Sequence, residues 1–234
     1  ADGTDAEIVA MVEAADKGEI NLADYWSVGD ERKVNLSAMA ATGVDESHIA
    51  QTVTFVLMNV GGKTLSIPTA SGRTTCSFIV GQKNGLANEG YMNPTDTTSG
   101  GWDSCARRTW CNEIYYNAVP SSIRSIFKKY ENITADGEST TTVTNEDYFA
   151  LLAEKEVFGS NKYANSTAED LLTQFTYYVT SSNRIKKGGD SGSTNFWWER
   201  SPSIAGRFCC VSSDGSPRGS SARNTNLLAP FGCI

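Results

Sequence analysis

The stretch Phe196-Trp197-Trp198-Glu199-Arg200-Ser201-Pro202 opens the last part of the chain, and over 203–226 Ser, Gly, Asn and Arg then dominate with almost no apolar periodicity. Small polar residues of that kind usually mark loops or linkers, because they suit turn geometry and build no core. The sequence then becomes apolar again, Leu227-Leu228-Ala229-Pro230-Phe231-Gly232-Cys233-Ile234. A floppy tail is not normally followed by a buried-looking terminus. The region therefore reads as a long irregular surface segment, held between a Trp-Trp strand and an apolar end. Trp197, Trp198 and Arg200 read as core and floor beneath it, since indoles bury much apolar area; the alternative makes them ligand contacts.

A chain of 234 residues fits one large domain with a small appendage, here 1–24 as an N-terminal amphipathic helix and 25–234 as the main domain. With 39% hydrophobic and 20% charged residues it carries enough apolar material to fold without staples. A net charge of −7 with scattered Lys and Arg argues against a nucleic-acid face, which needs clustered cations to displace counterions. No apolar run is long enough for membrane insertion, and Ala1-Asp2-Gly3-Thr4-Asp5 lacks the basic and apolar regions of a signal peptide. Cys76, Cys105, Cys111, Cys209, Cys210 and Cys233 show no CxxC pair and no His at zinc spacing, so they read as free thiols in the core, with disulfides as the alternative.

Thr4 with Glu7 reads as a capping box, and Ile8, Val9, Met11, Val12 and Ala15 recur at helical spacing until Gly18. Such a stripe is a docking face for its own domain. Glu31–Leu36 and Gln51–Val60 read as strands, the second with Val53, Phe55 and Leu57 on one face; 74–80 reads as a third, and 81–101 as a loop. The pattern turns helical over 102–116 and again after Pro120, where Ile123, Ile126 and Phe127 share a face. A buried strand is expected over 148–152 and a helix over 168–179, carrying Leu171, Leu172 and Phe175.

Motifs that carry chemistry are scarce. His48 is the sole histidine and reads as a solvated surface residue, so no Ser-His-Asp or Cys-His apparatus is expected. Glu154/Glu156 and Glu169/Asp170 read as a solvated charged face. Gly188-Gly189-Asp190-Ser191-Gly192 reads as a flexible turn rather than a nucleophile elbow. Neither nucleotide-binding glycine motifs nor EF-hand spacing occur, so catalytic residues, cofactor and metal are all expected to be none.

Trp102-x5-Arg108-x-Trp110-x-Asn112-x3-Tyr116, then Trp197-Trp198-Glu199-Arg200-Ser201-Pro202, Val211-x-x-Asp214-Gly215 and Ala229-Pro230, together resemble a bacterial and prophage domain family of unassigned function. That family is similar to the C-type-lectin-like proteins, which include formylglycine-generating enzymes and the variable proteins of diversity-generating retroelements. The resemblance runs from about residue 25 to the end and implies an α+β, C-type-lectin-like fold, a small antiparallel sheet with flanking helices and a long irregular C-terminal region. Its most specific part is WW-x-RSP followed by DG. The ending departs from the Gly-Val-Arg-Pro-Ala-Leu common in relatives, so the last strand is expected to pack differently.

Retroelement diversification mutates template adenines, so Asn codons reach many residues but not Lys, Glu, Gln, Met or Trp. None of those five occurs between Ser203 and Leu228, where average composition would place roughly four or five. A Ser/Gly-rich loop of no special origin is the alternative. Phe208, Val211, Asp214, Gly215, Ala222 and Ala229-Pro230 read as scaffold. The ligand contacts implied are Ser203, Ile204, Ala205, Gly206, Arg207, Cys210, Ser212, Ser213, Ser216, Arg218, Gly219, Ser220, Ser221, Arg223, Asn224, Thr225, Asn226 and Leu227. The function implied is non-catalytic recognition of a surface protein or glycan of a target cell, on a phage tail or a bacterial surface, with a homo-oligomer left open as a source of avidity. Two other readings stay open: an oxidase of the formylglycine-generating type, and a structural virion part without ligand.

Overall fold

The Thr4 side chain accepts the Glu7 amide while the Glu7 carboxylate takes the Thr4 amide at 2.7 Å, and this capping box starts α1 (Asp5–Asp16). Ile8, Val12 and Ala15 on its inner face join the core shared with the sheet. The computed structural model describes residues 3–164, 166–204 and 206–234, with the Ser166 side chain outside that description.

The main sheet is antiparallel throughout, with strand order β1-β2-β3-β12-β6: β1 Glu31–Leu36, β2 Gln51–Val60, β3 Phe78–Gln82, β6 Phe149–Ala150 and β12 Phe231–Cys233. β1 and β2 carry the bounds the sequence predicts, but β2 is buried on both faces from Val53 to Met58 because helices cover one side and the second half of the chain the other. The third strand starts four residues later than 74–80 implies. Before it the chain is tied to the preceding loop, with the Cys76 amide on the Lys63 carbonyl.

The helical middle begins at Ala106 rather than Trp102. α2 (Ala106–Thr109) widens into a π-helical turn over Trp110–Tyr115 and continues as α3 (Tyr116–Ala118); α4 (Ser121–Arg124) follows Pro120. Ile123, Ile126 and Phe127 enter the core as their spacing predicts. β4 (Tyr130–Ala135) and β5 (Thr142–Asp147) form a separate hairpin, and the largely buried α5 (Glu154–Phe158) follows β6. The helix predicted over 168–179 does not form. α6 (Ser166–Glu169) stops early, the chain runs irregularly, and a short 3-10 turn occupies Thr176–Val179. Tertiary partners override the apolar spacing: Glu169 is drawn inward to Ser201, Phe175 donates its amide to the Glu156 carbonyl, and Leu171 is left 80% exposed.

Short strands β7 (Lys186–Lys187) and β8 (Thr194–Asn195) pair around the Gly-Gly-Asp-Ser-Gly turn. The second sheet has order β11-β10-β9, from β9 (Trp197–Pro202), β10 (Arg207–Val211) and β11 (Pro217–Ser221). Much of the segment expected to be irregular is thus a hairpin. Its inner strand, Phe208 to Val211, is buried on both faces and so shows no alternation. The fold is α+β with small antiparallel sheets and short helices. No helix among the described residues is long and apolar enough to cross a membrane.

Candidate functional site

β9 seats the hairpin. Trp197 and Trp198 are fully buried, and their indole N–H groups donate to the Arg184 and Gly90 carbonyls, each at 2.7 Å. The equally buried Arg200 guanidinium donates to the Leu151 carbonyl (2.9 Å) and to the Glu156 carboxylate (2.6 Å). These three side chains are floor and offer no surface to a ligand.

The residues singled out as ligand contacts divide by burial. Ile204, Arg207, Arg218, Arg223, Asn224 and Thr225 are exposed, while Gly206, Ser213, Ser216, Gly219 and Ser221 are partly so. Ala205 lies outside the described residues. Ser203, Cys210, Ser212, Ser220, Asn226 and Leu227 are buried, which corrects their reading as surface positions. The causes are local. Cys210 faces Trp198 across the ladder; Leu227 pairs with Trp197, and its backbone bonds to Phe196 and Trp198. Asn226 pairs with Gly90, and Ser220 accepts from Asn224 at 3.0 Å. The Ser203 amide closes onto the Arg207 carbonyl. Ser212 braces the hairpin turn through Asp214 and the Ser216 carbonyl, with Gly215 at φ +83° supplying the left-handed residue. The Asp214 carboxyl, held by the Ser212 hydroxyl and the Ser216 amide, is lowered to about 2.

The structure adds a neighbour that residue spacing did not indicate. The loop after β3, assigned to 81–101 and far away in sequence, lies along the hairpin: Gly90 bridges Asn226, and the Met92 and Asn93 amides both donate to the Ala222 carbonyl. Asp96 accepts the Ser221 hydroxyl and the Arg223 amide (3.0 Å). The buried Arg107 holds this loop from behind through the Tyr91 carbonyl and Asp45.

Beneath the hairpin lies a buried charged cluster, which corrects the solvated reading of the glutamates. Glu154, Glu156 and Glu169 are all sealed from solvent, and only Asp170 is exposed. Glu154 accepts the Lys162, Tyr163 and Ala164 amides; Glu156 pairs with Lys63 and Arg200; Glu169 takes Ser201 and Thr134. Glu199 is fully buried, and among the described residues neither of its carboxylate oxygens has a hydrogen-bond partner. Burial, then the charges of Glu154 and Glu169, push it well above the usual carboxylate range. His48 is likewise buried rather than solvated, 3.2 Å from Asp45 and packed near the Trp110 ring. All six cysteines are free and buried. Burial raises the Cys210 thiol to about 12 and Cys209 well above its ordinary value, so both stay protonated at neutral pH. Among the described residues no three His, Cys, Asp or Glu side chains are placed to hold a metal ion.

The Trp102–Tyr116 motif has an architectural explanation. Trp102, Arg108, Asn112 and Asn132 all donate to the fully buried Asp147 carboxylate, at 2.7–2.9 Å. The motif spacing therefore locks the π-helical turn to the end of β5.

No curated protein and no solved structure matches the chain. A family model described as a domain of unknown function, DUF6273, matches residues 78–230, from the first residue of β3 through the second sheet to the residue before β12. That span exceeds half of the chain and contains the Asp147 hub, the β9 floor and the whole hairpin, so the protein belongs to the DUF6273 family.

Proposed function

We propose that this protein is a non-catalytic recognition protein, and that it displays a changeable binding face on the β10–β11 hairpin and the turn that follows it. One observation carries the reading. Within 203–227 the exposed side chains belong to Ile204, Arg207, Arg218, Arg223, Asn224 and Thr225, together with Asp214, which braces the hairpin turn, while Trp197, Trp198, Phe208, Val211 and Ala222 beneath them are fully buried. Side chains on such a face can change without disturbing the core or the ordering of the loops. The absence of Lys, Glu, Gln, Met and Trp from the same segment fits diversification by adenine mutagenesis. The finer fold assignment, a C-type-lectin-like arrangement, is supported by β3 and β12 lying side by side at the two ends of the family region, with the helices and second sheet looped out between them. On this reading the target is a surface molecule of a cell, met from a phage tail or a bacterial surface.

Grafting 203–227 onto a relative with the same WW-x-RSP and DG framework tests the proposal. Binding to a panel of bacterial surfaces should travel with the graft. A chimera that keeps the recipient's target and ignores the donor's would place recognition elsewhere.

A further inference from the structure

The chain has ten arginines, and the seven outside 203–227 all have guanidinium groups engaged within the protein. Arg32 bonds Asp5, Arg73 bonds Asp16, Arg107 bonds Asp45, Arg108 bonds Asp147 and Arg200 bonds Glu156; Arg124 and Arg184 bond the Val119 and Tyr178 carbonyls. The three inside the segment differ. Among the described residues, the side chains of Arg207 and Arg223 have no hydrogen-bond or ion-pair partner, and Arg218 reaches only the adjacent Pro217 carbonyl at 3.1 Å. Asp96 is within electrostatic reach of Arg223 and keeps its charge, with the Ser221 hydroxyl and the Arg223 amide both donating to its Oδ1, but among the described residues the two side chains form no ion pair.

Arg207 and Arg223 share one end of the hairpin. Arg207 stands opposite Ser221 in the ladder, and Arg223 lies two residues beyond Ser221 in the turn that follows β11, so the two sit at the same end of the hairpin. Asn224 and Thr225 continue that edge with an amide and a hydroxyl. The Gly90–Asn226 bridge sets the loop that carries the exposed Tyr91 alongside this stretch. This end of the hairpin and the loop beside it thus carry two guanidinium forks without side-chain partners among the described residues, small hydrogen-bonding groups and one aromatic ring, with Ile204 as the exposed large aliphatic side chain of the segment.

We infer that the Arg207–Arg223 end of the hairpin binds an anionic polysaccharide, gripping carboxylate or phosphate groups of the sugar chain. This rests on the hairpin being the recognition face. Guanidinium forks match planar carboxylates and phosphates bidentately. A protein partner would call for aromatic or aliphatic anchors at the centre of the contact, and these are scarce here. Hydroxyls and amides beside an aromatic ring suit a hydroxylated chain instead. A net charge of −7 repels polyanions in general, so attraction must come from these two side chains.

The test uses the full chain with polygalacturonate, phosphomannan, methyl-esterified polygalacturonate and poly-L-glutamate, followed by calorimetry at two salt concentrations. Polygalacturonate or phosphomannan should bind, and which of them does identifies the anion. The esterified polymer should not bind. Arg207→Gln/Arg223→Gln should weaken binding about tenfold or more with an unchanged melting temperature, while Arg218→Gln keeps it. Equal binding of poly-L-glutamate would overturn the polysaccharide in favour of an acidic peptide. Absence of binding to both polyanions, or an unaffected double variant, would overturn the anion inference. A graft that still transfers target choice in that case leaves the recognition face standing, so the two failures can be told apart.

Discussion

Glu199 is the residue most at odds with its surroundings: a carboxyl group at full burial with no donor among the described residues, beside Glu154 and Glu169. Its folded-state affinity for a proton exceeds the unfolded value, so its contribution is intact below about pH 4 and declines as pH rises toward the folded value. That decline reaches at most about 1.4 kcal/mol per pH unit. Glu199→Gln should therefore melt higher than the native protein at pH 8 and lose that advantage at pH 4; a pH-independent difference would show that the carboxyl has found a partner. Trp198 lies at the opposite extreme, fully buried with its N–H on the Gly90 carbonyl. Trp198→Ala should cost roughly 3–5 kcal/mol in chemical denaturation, and a neutral result would contradict its place in the floor.

Elements differ in how far they tolerate change. On the hairpin, replacing Arg218, Arg223 and Thr225 together with Asn should move stability by about half a kcal/mol or less, because each side chain is exposed and none braces the fold. Ser212 belongs to the same segment but holds the turn through Asp214 and Ser216, so Ser212→Ala should be measurably destabilising, by about 1 kcal/mol. The joint between the π-helical turn and β5 is less forgiving. Asp147→Ala leaves Trp102, Arg108, Asn112 and Asn132 without their common acceptor, and unfolding should become easier by about 3–5 kcal/mol. Denaturant midpoints for these variants separate the display element from the element that supports it.

At the scale of the whole molecule, the buried cluster joins both halves of the chain: Lys63 from the loop after β2, Glu156 from α5 and Arg200 from β9. Burial alone would raise the Glu156 carboxyl, but the Arg200 and Lys63 charges outweigh it and hold it at about 2. A lowered carboxylate stabilises above its unfolded value and loses that contribution as pH falls through the folded one. Acid unfolding should therefore steepen between about pH 4.5 and pH 2, through a term of roughly 3 kcal/mol. In Glu156→Gln that slope should flatten while overall stability drops, because Lys63 and Arg200 lose their partner. An unchanged acid profile would count against the cluster as the tie between the halves.

The sequence by itself determined the α1 capping box, the bounds of β1 and β2 and the core role of the Trp-Trp pair, because each depends on neighbours a few residues away or on the size of an indole. It also singled out 203–227 as unusual in composition. What only the tertiary structure decided was which of those side chains face solvent: Cys210 and Leu227 are closed off by Trp198 and Trp197, and β10, buried on both faces, carries no alternation to read. Burial of Glu154, Glu156, Glu169 and His48 was illegible for the same reason, since a charged residue is silent in sequence about a counter-charge a hundred residues away. The helix expected over 168–179 failed where Ser201 and Glu156 offered better partners than another helical turn. The meeting of the Tyr91–Asp96 loop with Ser221, Arg223 and Asn226 arises from chain topology, which brings residues more than a hundred positions apart into one hydrogen-bonded edge.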